Sequence, residues 1–303
     1  MIRSFMEPLP PSRSLRRTRP DLVSVIIPVL NTGHHLGQQL SALAHQDYDG
    51  SFEVILADNG STDDSVAIAQ HWSSVLDVRV VDASRKRGIG VATNCAVREA
   101  SAPLLALLDD DDVASSDWLG QLVAAALETD AVVGALEPES LNSPRAQRWR
   151  HWDNSGGLKV GYNFLPFGAT CNMGIWRETI EALGGFSESN PAIDVDFCWR
   201  AQLAGFRLGF APSALVHYRF KDRISDFARQ QYLYGRSGPY LYRDFHEFGQ
   251  MRQLGQACWV WFQMPLRALK AIFVPTIWGR LIGDIAFRVG RIVGSVQCRR
   301  LYL

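Results

Sequence analysis

The sequence lacks an excess of charge of either sign, because 31 Lys and Arg residues balance 31 Asp and Glu residues over 303 positions. Proteins that bind nucleic acid through bulk electrostatics need such an excess, so we expect no nucleic-acid partner. It also lacks a C-x-x-C pair, since its five cysteines are widely spaced and odd in number. Free thiols are typical of a reducing compartment, which predicts a cytoplasmic protein at the inner face of the cell membrane.

Long uninterrupted apolar runs are also missing. Residues 1–20 are basic and proline-rich without the apolar stretch of about seven residues that a secretory signal needs, which predicts a disordered tail. Residues 255–279 are conspicuously apolar, but Arg267 and Lys270 interrupt them before the roughly 18 to 20 residues of a spanning helix. This segment is therefore expected to lie at an interface rather than to cross a membrane.

Between Asp21 and Val216, short β-branched runs alternate with segments of helical period. This rhythm predicts an α/β domain with a mostly parallel sheet flanked by helices. The predicted strands are Val23–Val29, Glu53–Ala57, Val78–Val81, Leu104–Leu108 and Ala131–Ala135. The predicted helices are Leu36–His45, Asp63–Trp72, Gly90–Ala100, Ser116–Glu128 and Asp194–Ala204.

After about Phe220 the composition shifts to aromatic residues and arginines, which predicts a C-terminal helical appendage. We therefore divide the chain into a catalytic domain over 21–222 and a helical region over 223–303. Arg280, Asp284, Arg288 and Arg291 recur at helical spacing, with apolar residues on another face. This cationic amphipathic helix is interpreted as packing against the catalytic domain, as binding anionic lipid, or as forming a homodimer contact.

The most unusual feature is a run of four carboxylates, Asp109 to Asp112, directly after the apolar run LLALL. Such neighbours repel one another unless they are solvated, protonated or neutralised by a cation. In an extended segment Asp109 and Asp111 would point to the same side, where Mg²⁺ or Mn²⁺ can use one or two carboxylates together with a diphosphate. The alternative is a solvated acidic turn that caps the next helix.

Other polar residues occupy positions where ligands are expected. Asp58 ends a predicted strand, where a carboxylate can accept a hydrogen bond from a base or ribose. Asp194 and Asp196 precede a helix and cannot both cap it, which leaves one free to act as a general base. His217 is either a structural residue or a ligand, and Arg87 lies either in a phosphate-binding turn or in a solvated one.

Three clusters occur in one order, namely VSVIIPVLNTG with DNGSTDDS, then LLDDDD, then GGFSES followed by DVDFCWRAQLAGFRL. Together they resemble the family 2 glycosyltransferases of the GT-A (Rossmann-like) fold, over Val23–Tyr218. The stretch RGIGVATN also matches the R-G-x-x-x-x-x-N pattern of that family. The resemblance implies inverting transfer of a sugar from a nucleotide-diphosphate sugar to a hydroxyl, in synthesis of a cell-envelope or surface polysaccharide or glycolipid.

The resemblance also implies roles for single residues. Asp194 matches the catalytic base, and Asp109 with Asp111 matches the family's D-x-D motif. The metal, Mn²⁺ or Mg²⁺, would be held by Asp111, Asp112 and His217. The nucleotide-sugar would be contacted by Pro28, Val29, Asn31, Asp58, Arg87, Gly88, Asn94, Asp109 and Asp110. A UDP-sugar is the favoured donor, with GDP- and dTDP-sugars as alternatives, and the acceptor would be a glycan or a lipid-linked glycan.

Two positions depart from the family pattern. Ile193 stands where the family has a glutamate, and Ser187 stands where it has an acid. These departures bear on acceptor recognition and leave open a catalytically impaired protein that binds carbohydrate or acts as a scaffold. A sugar nucleotidyltransferase is a weaker alternative, because the loop PVLNTGHHLG after the first strand has no Lys or Arg.

Overall fold

The computed structural model describes residues 17–150, 157–252, 254–274 and 277–302, with only the backbone of 254–258 and 272. Residues 1–16 of the predicted tail and residue 303 lie outside the described residues. Of the remaining tail, the Arg17 guanidinium pairs with Asp130 at 2.7 Å and with Glu178 at 2.5 Å. Arg17 also stacks over the indole of Trp176 at 4.6 Å. This end of the tail is therefore held against the folded domain by the side chain of Arg17.

The central feature is a sheet of eight strands in the order β3-β2-β1-β4-β9-β6-β10-β5. Strands β3, β2, β1 and β4 run parallel, β9 is antiparallel to both β4 and β6, and β5 is antiparallel to β10. A separate two-stranded sheet joins β7 and β8. The strands are β1 Leu22–Val29, β2 Ser51–Asp58, β3 Val78–Asp82, β4 Leu104–Leu108, β5 Val113–Ala114, β6 Ala131–Glu137, β7 Lys159–Val160, β8 Pro166–Phe167, β9 Asn172–Trp176 and β10 Leu208–His217.

Helices cover both faces of this sheet and form the C-terminal region. They are α1 Gly33–Ala44, α2 Ser65–Trp72, α3 Ile89–Glu99, α4 Trp118–Ala126, α5 Pro144–Arg148, α6 Arg177–Ala182, α7 Ile193–Leu203, α8 Ile224–Phe245, α9 Leu254–Phe273 and α10 Trp278–Cys298. The five strands and five helices predicted from the sequence are all present, with ends that differ by at most three residues. The α/β prediction and the C-terminal helices are confirmed.

Alternating side chains of β1 divide the core between the two faces of the sheet. Val25 and Ile27 pack in one apolar cluster with α1 and α4, while Ile26 packs in the other with α3 and α7. Because both faces are covered, the strand is apolar at nearly every position instead of alternating with polar residues. The register aligns Val29 with Asp58, and Asp58 with Asp82, so three parallel strands end side by side. Ligands of such sheets bind at this edge.

The C-terminal helices α8 and α10 pack closely against each other. Gly290 lies against the backbone of Tyr232, and Gly235 lies against the carbonyl of Phe287, where a Cβ on either glycine would overlap the opposing helix. Helix α10 therefore packs on α8, and Arg280 near its start donates to the carbonyl of Arg148 in the catalytic domain at 2.6 Å. Binding of lipid or of a second copy by this helix stays a prediction. Among the described residues, no helix has both the length and the hydrophobicity that crossing a bilayer requires.

Candidate active site

The four aspartates that follow β4 have different partners, because Asp110 to Asp112 form a bend instead of an extended strand. Asp110 turns toward the loop between β1 and α1, where its Oδ2 accepts from the backbone N–H of Leu30 at 3.1 Å and from the hydroxyl of Thr32 at 2.6 Å. This carboxylate therefore fixes the loop that follows β1.

The chain just after β10 contacts the next two aspartates. Lys221 forms an ion pair with the carboxylate of Asp111. Arg219 donates from its guanidinium to the Asp111 carbonyl at 2.6 Å and from its backbone N–H to Asp112 Oδ1 at 2.7 Å. Two cations thus lie against an acidic run whose charges would otherwise repel one another.

One group of side chains has the spacing of a metal site. Ligand atoms of Asp109, Asp112 and Cys171 all lie within 4.8 Å of one another. Asp112 is fully buried, and its Oδ2 has no hydrogen-bond partner among the described residues. A buried carboxylate oxygen without a partner is costly, and a divalent cation bound there would supply one. Hard cations prefer carboxylate oxygens to a thiol, so the chemistry of Asp109 and Asp112 fits Mg²⁺ or Mn²⁺.

The pKa values of these groups show the cost of placing carboxylates together. Burial, followed by the charges of Asp111 and Asp110, raises the pKa of Asp109 to about 8. Burial and Asp111 likewise raise the pKa of Asp110 to about 7, and burial raises the pKa of Asp112 well above its usual value. Burial also raises the pKa of the Cys171 thiol. Without a bound cation the site therefore retains protons near neutral pH.

His217 lies at the end of β10, in register with Glu137 on β6. Its Nδ1 is 2.7 Å from the Glu137 carboxylate, which makes Glu137 its partner in this structure. Neither His217 nor Asp111, the two other residues expected at the metal, belongs to the group formed by Asp109, Asp112 and Cys171. Their participation stays a prediction.

The two acids at the start of α7 separate clearly. Asp196 forms an ion pair with Arg200 at 2.6 Å, and Arg200 also donates to the carbonyls of Leu183 and Gly185. Asp194 instead accepts hydrogen bonds from the local backbone, one of them from the Val195 N–H at 2.8 Å. Asp196 is thus occupied in holding the chain, whereas Asp194 lies on the wall of a cavity.

The cavity that contains Asp194 has a volume of about 890 Å³. Arg87 and Gly88 line it at one side, whereas Asp109 to Asp112 do not contribute to its wall. Burial raises the pKa of Asp194. Tyr218 lines this cavity, and the N–H of the next residue, Arg219, donates to Asp112 at 2.7 Å, so the cavity and the acidic run are close neighbours.

The residues expected at the nucleotide meet at the edge where the parallel strands end. Pro28 and Val29 lie opposite Ala57 and Asp58 in the register of β1 and β2. Asp58 accepts from the N–H of Ser61 at 2.9 Å, which closes the turn after β2. Asn31, with a φ of 55°, accepts from the N–H of Thr62 at 2.7 Å and joins the two loops. The structure therefore brings these four residues together.

The R-G-x-x-x-x-x-N stretch serves two different purposes. Arg87 donates to the Gly60 carbonyl at 3.0 Å and so lies beside the turn after Asp58. Gly88, at a φ of 148°, precedes α3 and donates to Asn59 at 2.8 Å. The Asn94 amide instead exchanges two hydrogen bonds, of 2.9 and 2.8 Å, with the backbone of Phe186. Asn94 thus positions the segment that leads into α7.

Both departures from the family pattern have structural explanations. The Ser187 hydroxyl accepts from the N–H of Asn190 at 3.0 Å, which is the turn-closing bond that an aspartate would also make. Ile193 is 4% exposed and packs in the core with Phe197. A glutamate at that position would place a carboxylate in this apolar cluster, at the edge of the cavity that Ile193 also lines.

Sequence reasoning missed several residues around the site. Arg219 and Lys221 were readable, because HYRFK places two cations directly after the apolar run ALV. Cys171 carried no signal, since β9 reaches β4 only through the antiparallel crossover of the sheet. Tyr234 of α8 lines the cavity and hydrogen-bonds Tyr218, which only the packing of the C-terminal helices brings about.

Comparison with known proteins identifies the family. The family model "Glycosyl transferase family 2" matches residues 24–184, which is just over half of the chain. The glycosyltransferase AglE of Haloferax volcanii is 32% identical over 197 residues, covering 62% of this chain and 64% of that protein. The chain spans between a quarter and about two-thirds of the length of the first curated relatives that it matches.

Two solved structures agree in fold. The mannosyltransferase PcManGT from Pyrobaculum calidifontis, in complex with GDP-Man and Mn²⁺, has a TM-score of 0.61 and 18% identity, covering 98% of this chain and 83% of that one. S. aureus TarS 1-349, in complex with UDP-GlcNAc, has a TM-score of 0.53 and 17% identity, covering 93% of both chains. The strand order, the helices on both faces and the matched segment together show that this chain belongs to glycosyl transferase family 2 and has the GT-A fold.

Proposed function

We propose that this protein is an inverting glycosyltransferase that moves a sugar from a nucleotide-diphosphate sugar to a hydroxyl acceptor. The observation that supports this most strongly is the placement of Asp194 in a large cavity beside the acidic group of Asp109 and Asp112. A displacement at the anomeric carbon needs a base on the acceptor side and positive charge on the diphosphate side.

A divalent metal, Mn²⁺ or Mg²⁺, is part of this proposal. Asp109 and Asp112 would hold the ion, with Asp111 and His217 as further ligands expected from the family. When bound, the ion would neutralise charge on the departing diphosphate. The mannosyltransferase with the same fold was solved with Mn²⁺, which supports this choice of cation.

The donor would bind where β1, β2 and α3 meet. Asp58 would accept a hydrogen bond from the base or ribose, and Arg87 would approach the diphosphate, with Pro28, Val29, Asn31, Gly88, Asn94 and Asp110 forming or fixing the surrounding loops. The two structural neighbours carry GDP-Man and UDP-GlcNAc, so the fold accepts either base. A UDP-sugar remains the favoured prediction, with GDP- and dTDP-sugars as alternatives.

In the proposed reaction, Asp194 removes the proton of the acceptor hydroxyl as its oxygen bonds to the anomeric carbon. The bond from that carbon to the diphosphate breaks at the same time, and the nucleoside diphosphate leaves. Burial raises the pKa of Asp194, which makes its ionised form a stronger base. Lys221, which pairs with Asp111, would supply a cation near the departing phosphates.

The acceptor is proposed to be a glycan or a lipid-linked glycan used in envelope or surface polysaccharide synthesis. The cavity wall supports a sugar acceptor, because Tyr218, Tyr234 and Trp149 offer aromatic surfaces in the cavity that contains Asp194. A homodimer and a position at the inner face of a membrane are further predictions that this reaction does not require.

Substitution of Asp194 by Asn tests the proposal with little change in shape. We expect release of nucleoside diphosphate from UDP-, GDP- and dTDP-sugars, measured with Mn²⁺, to fall by about a hundredfold or more, because a general base contributes that much. Asp194→Asn should still bind the donor, which is measured as thermal stabilisation of the protein by the nucleotide-sugar. Glu188→Gln is the matched control, since Glu188 is another carboxylate on the same cavity wall.

Several results would contradict the proposal. Normal turnover by Asp194→Asn would remove the base assigned here. Release of pyrophosphate instead of nucleoside diphosphate would indicate a nucleotidyltransferase. Donor binding by the wild-type protein without any turnover would favour the impaired binding or scaffold protein.

A further inference from the structure

Helix α9 presents a continuous stripe of large apolar side chains to solvent. Its members recur at spacings of three and four residues, which places them on one face of the helix. They are Trp259, Phe262, Leu266, Leu269 and Phe273, with exposures of 59%, 69%, 63%, 55% and 77%. Folded monomers rarely expose so many contiguous large apolar groups, so this face is expected to have a partner.

The opposite side of α9 is attached to the rest of the chain. Met264 and Ala271 are buried there and cluster with Leu281 of α10. Arg267 adds an ion pair with Asp284 of α10 at 2.8 Å. The helix therefore already uses one face for packing, and the apolar stripe is a second face pointing away from it.

The charge of this region selects the kind of partner. Residues 251–303 contain eight Lys and Arg residues and one acid, Asp284, which gives a net charge of +7 in a chain whose total is zero. Lys270 is exposed beside Leu269 on α9. A surface that joins Trp and Phe side chains to an excess of cations is complementary to an anionic lipid headgroup layer. A second copy of this chain would bring a charge of the same sign against it.

We propose that α9 is a docking helix that lies in the interface of an anionic lipid bilayer, with its five-residue stripe in the acyl boundary and the basic residues at the headgroups. The inference goes beyond the proposed function and does not need glycosyl transfer to be correct. Docking would affect the cavity, because Asp284 of α10 pairs with Arg267 of α9 and also lines the cavity that contains Asp194. Lipid headgroups would then lie next to that cavity.

The test is sedimentation of the full-length protein with extruded vesicles. We expect binding to vesicles made of equal amounts of phosphatidylglycerol and phosphatidylcholine, and weaker binding to phosphatidylcholine alone. Raising the NaCl concentration to about 0.5 M should weaken binding, because it screens the charges. Phe262→Ser with Leu266→Ser should weaken it by about tenfold or more, since two exposed side chains lose their burial in lipid.

The matched control removes two equally exposed apolar side chains elsewhere. Val75 and Val160 are 66% and 76% exposed, and their joint replacement by Ser should leave vesicle binding unchanged. Thermal unfolding of both double variants checks that each is folded. Lys270→Glu, which keeps the stripe and reverses one charge, should weaken binding to the anionic vesicles only.

Three results would overturn the proposal. The first is failure of the wild-type protein to sediment with anionic vesicles. The second is equal binding by Phe262→Ser/Leu266→Ser and the wild type, which would mean adsorption through charge alone. The third is a dimer in analytical ultracentrifugation that the same double substitution dissociates, without vesicle binding, because the stripe would then be covered by a second copy.

Discussion

Binding of Mn²⁺ to the candidate metal site of Asp109 and Asp112 should release protons near neutral pH. The reason is the pKa of Asp109, which burial and neighbouring carboxylates raise to about 8. A group with that pKa is about nine-tenths protonated at pH 7, yet a carboxylate binds a metal ion in its ionised form. Each ion that binds must therefore displace close to one proton from Asp109, with a further contribution from its neighbours.

The same pKa sets the size of the effect. The ionised fraction of a carboxyl group with a pKa near 8 is about 1% at pH 6 and about half at pH 8. The apparent affinity for Mn²⁺ should therefore increase about fiftyfold between these two pH values from Asp109 alone. Asp112, whose pKa is also raised, acts in the same direction.

Isothermal titration calorimetry measures both quantities. Titration with MnCl₂ at pH 6, 7 and 8, in buffers with different enthalpies of ionisation, gives the affinity and the number of protons released. Asp109→Asn should lose affinity and most of the proton release. Asp77→Asn should behave like the wild type, because Asp77 is exposed and precedes β3 at the opposite end of the sheet. Equal Mn²⁺ affinity at pH 6 and 8, without proton release, would refute the reasoning.

Three further predictions concern stability. Without metal, the free energy of unfolding, measured by urea titration, should decrease as the pH rises from about 5 to 8. The reason is that the raised pKa values of Asp109 and Asp110 make the folded state bind more protons than the unfolded state. The decrease should be smaller in Asp109→Asn. Asn172→Ala should destabilise the protein by about 3 kcal/mol or more in the same assay. The reason is that the buried Asn172 amide accepts from the Trp118 indole and donates to two carbonyls. An unchanged urea midpoint would contradict this prediction. Gly235→Ala should lower the melting temperature, because a Cβ there overlaps α10. Gly37→Ala, in a helix with open space around it, should instead raise the free energy of unfolding by about 0.5 to 1 kcal/mol. Equal effects of the two substitutions would refute the close packing of α8 and α10.

Local pattern alone predicted the elements of the catalytic domain. Apolar runs such as LLALL and the helical spacing before Gly205 are decided within a few residues, because the periods of strand and helix differ. Asp58 and Asp109 were predicted at one edge for the same reason, since the ends of parallel strands meet there. The family resemblance added residue roles, and the fold and family it implied are confirmed.

The sequence did not determine which side chains pair with the candidate site residues. It left open which acid at the start of α7 is free, and the structure decides this because Arg200 reaches Asp196 from one helical turn away. No sequence signal connected Cys171 with the acidic run, and the cations of HYRFK did not show that Lys221 pairs with Asp111. Those contacts depend on the antiparallel insertion of β9 and on the chain after β10, over separations of 60 residues or more.

The C-terminal region shows the same division. Its composition determined that it is helical and cationic, because both properties are summed over local residues. It did not determine that α10 packs on α8 while α9 keeps an apolar stripe in solvent. Which face of an amphipathic helix is covered depends on the shape of the neighbouring helices, and only the tertiary structure supplies that shape.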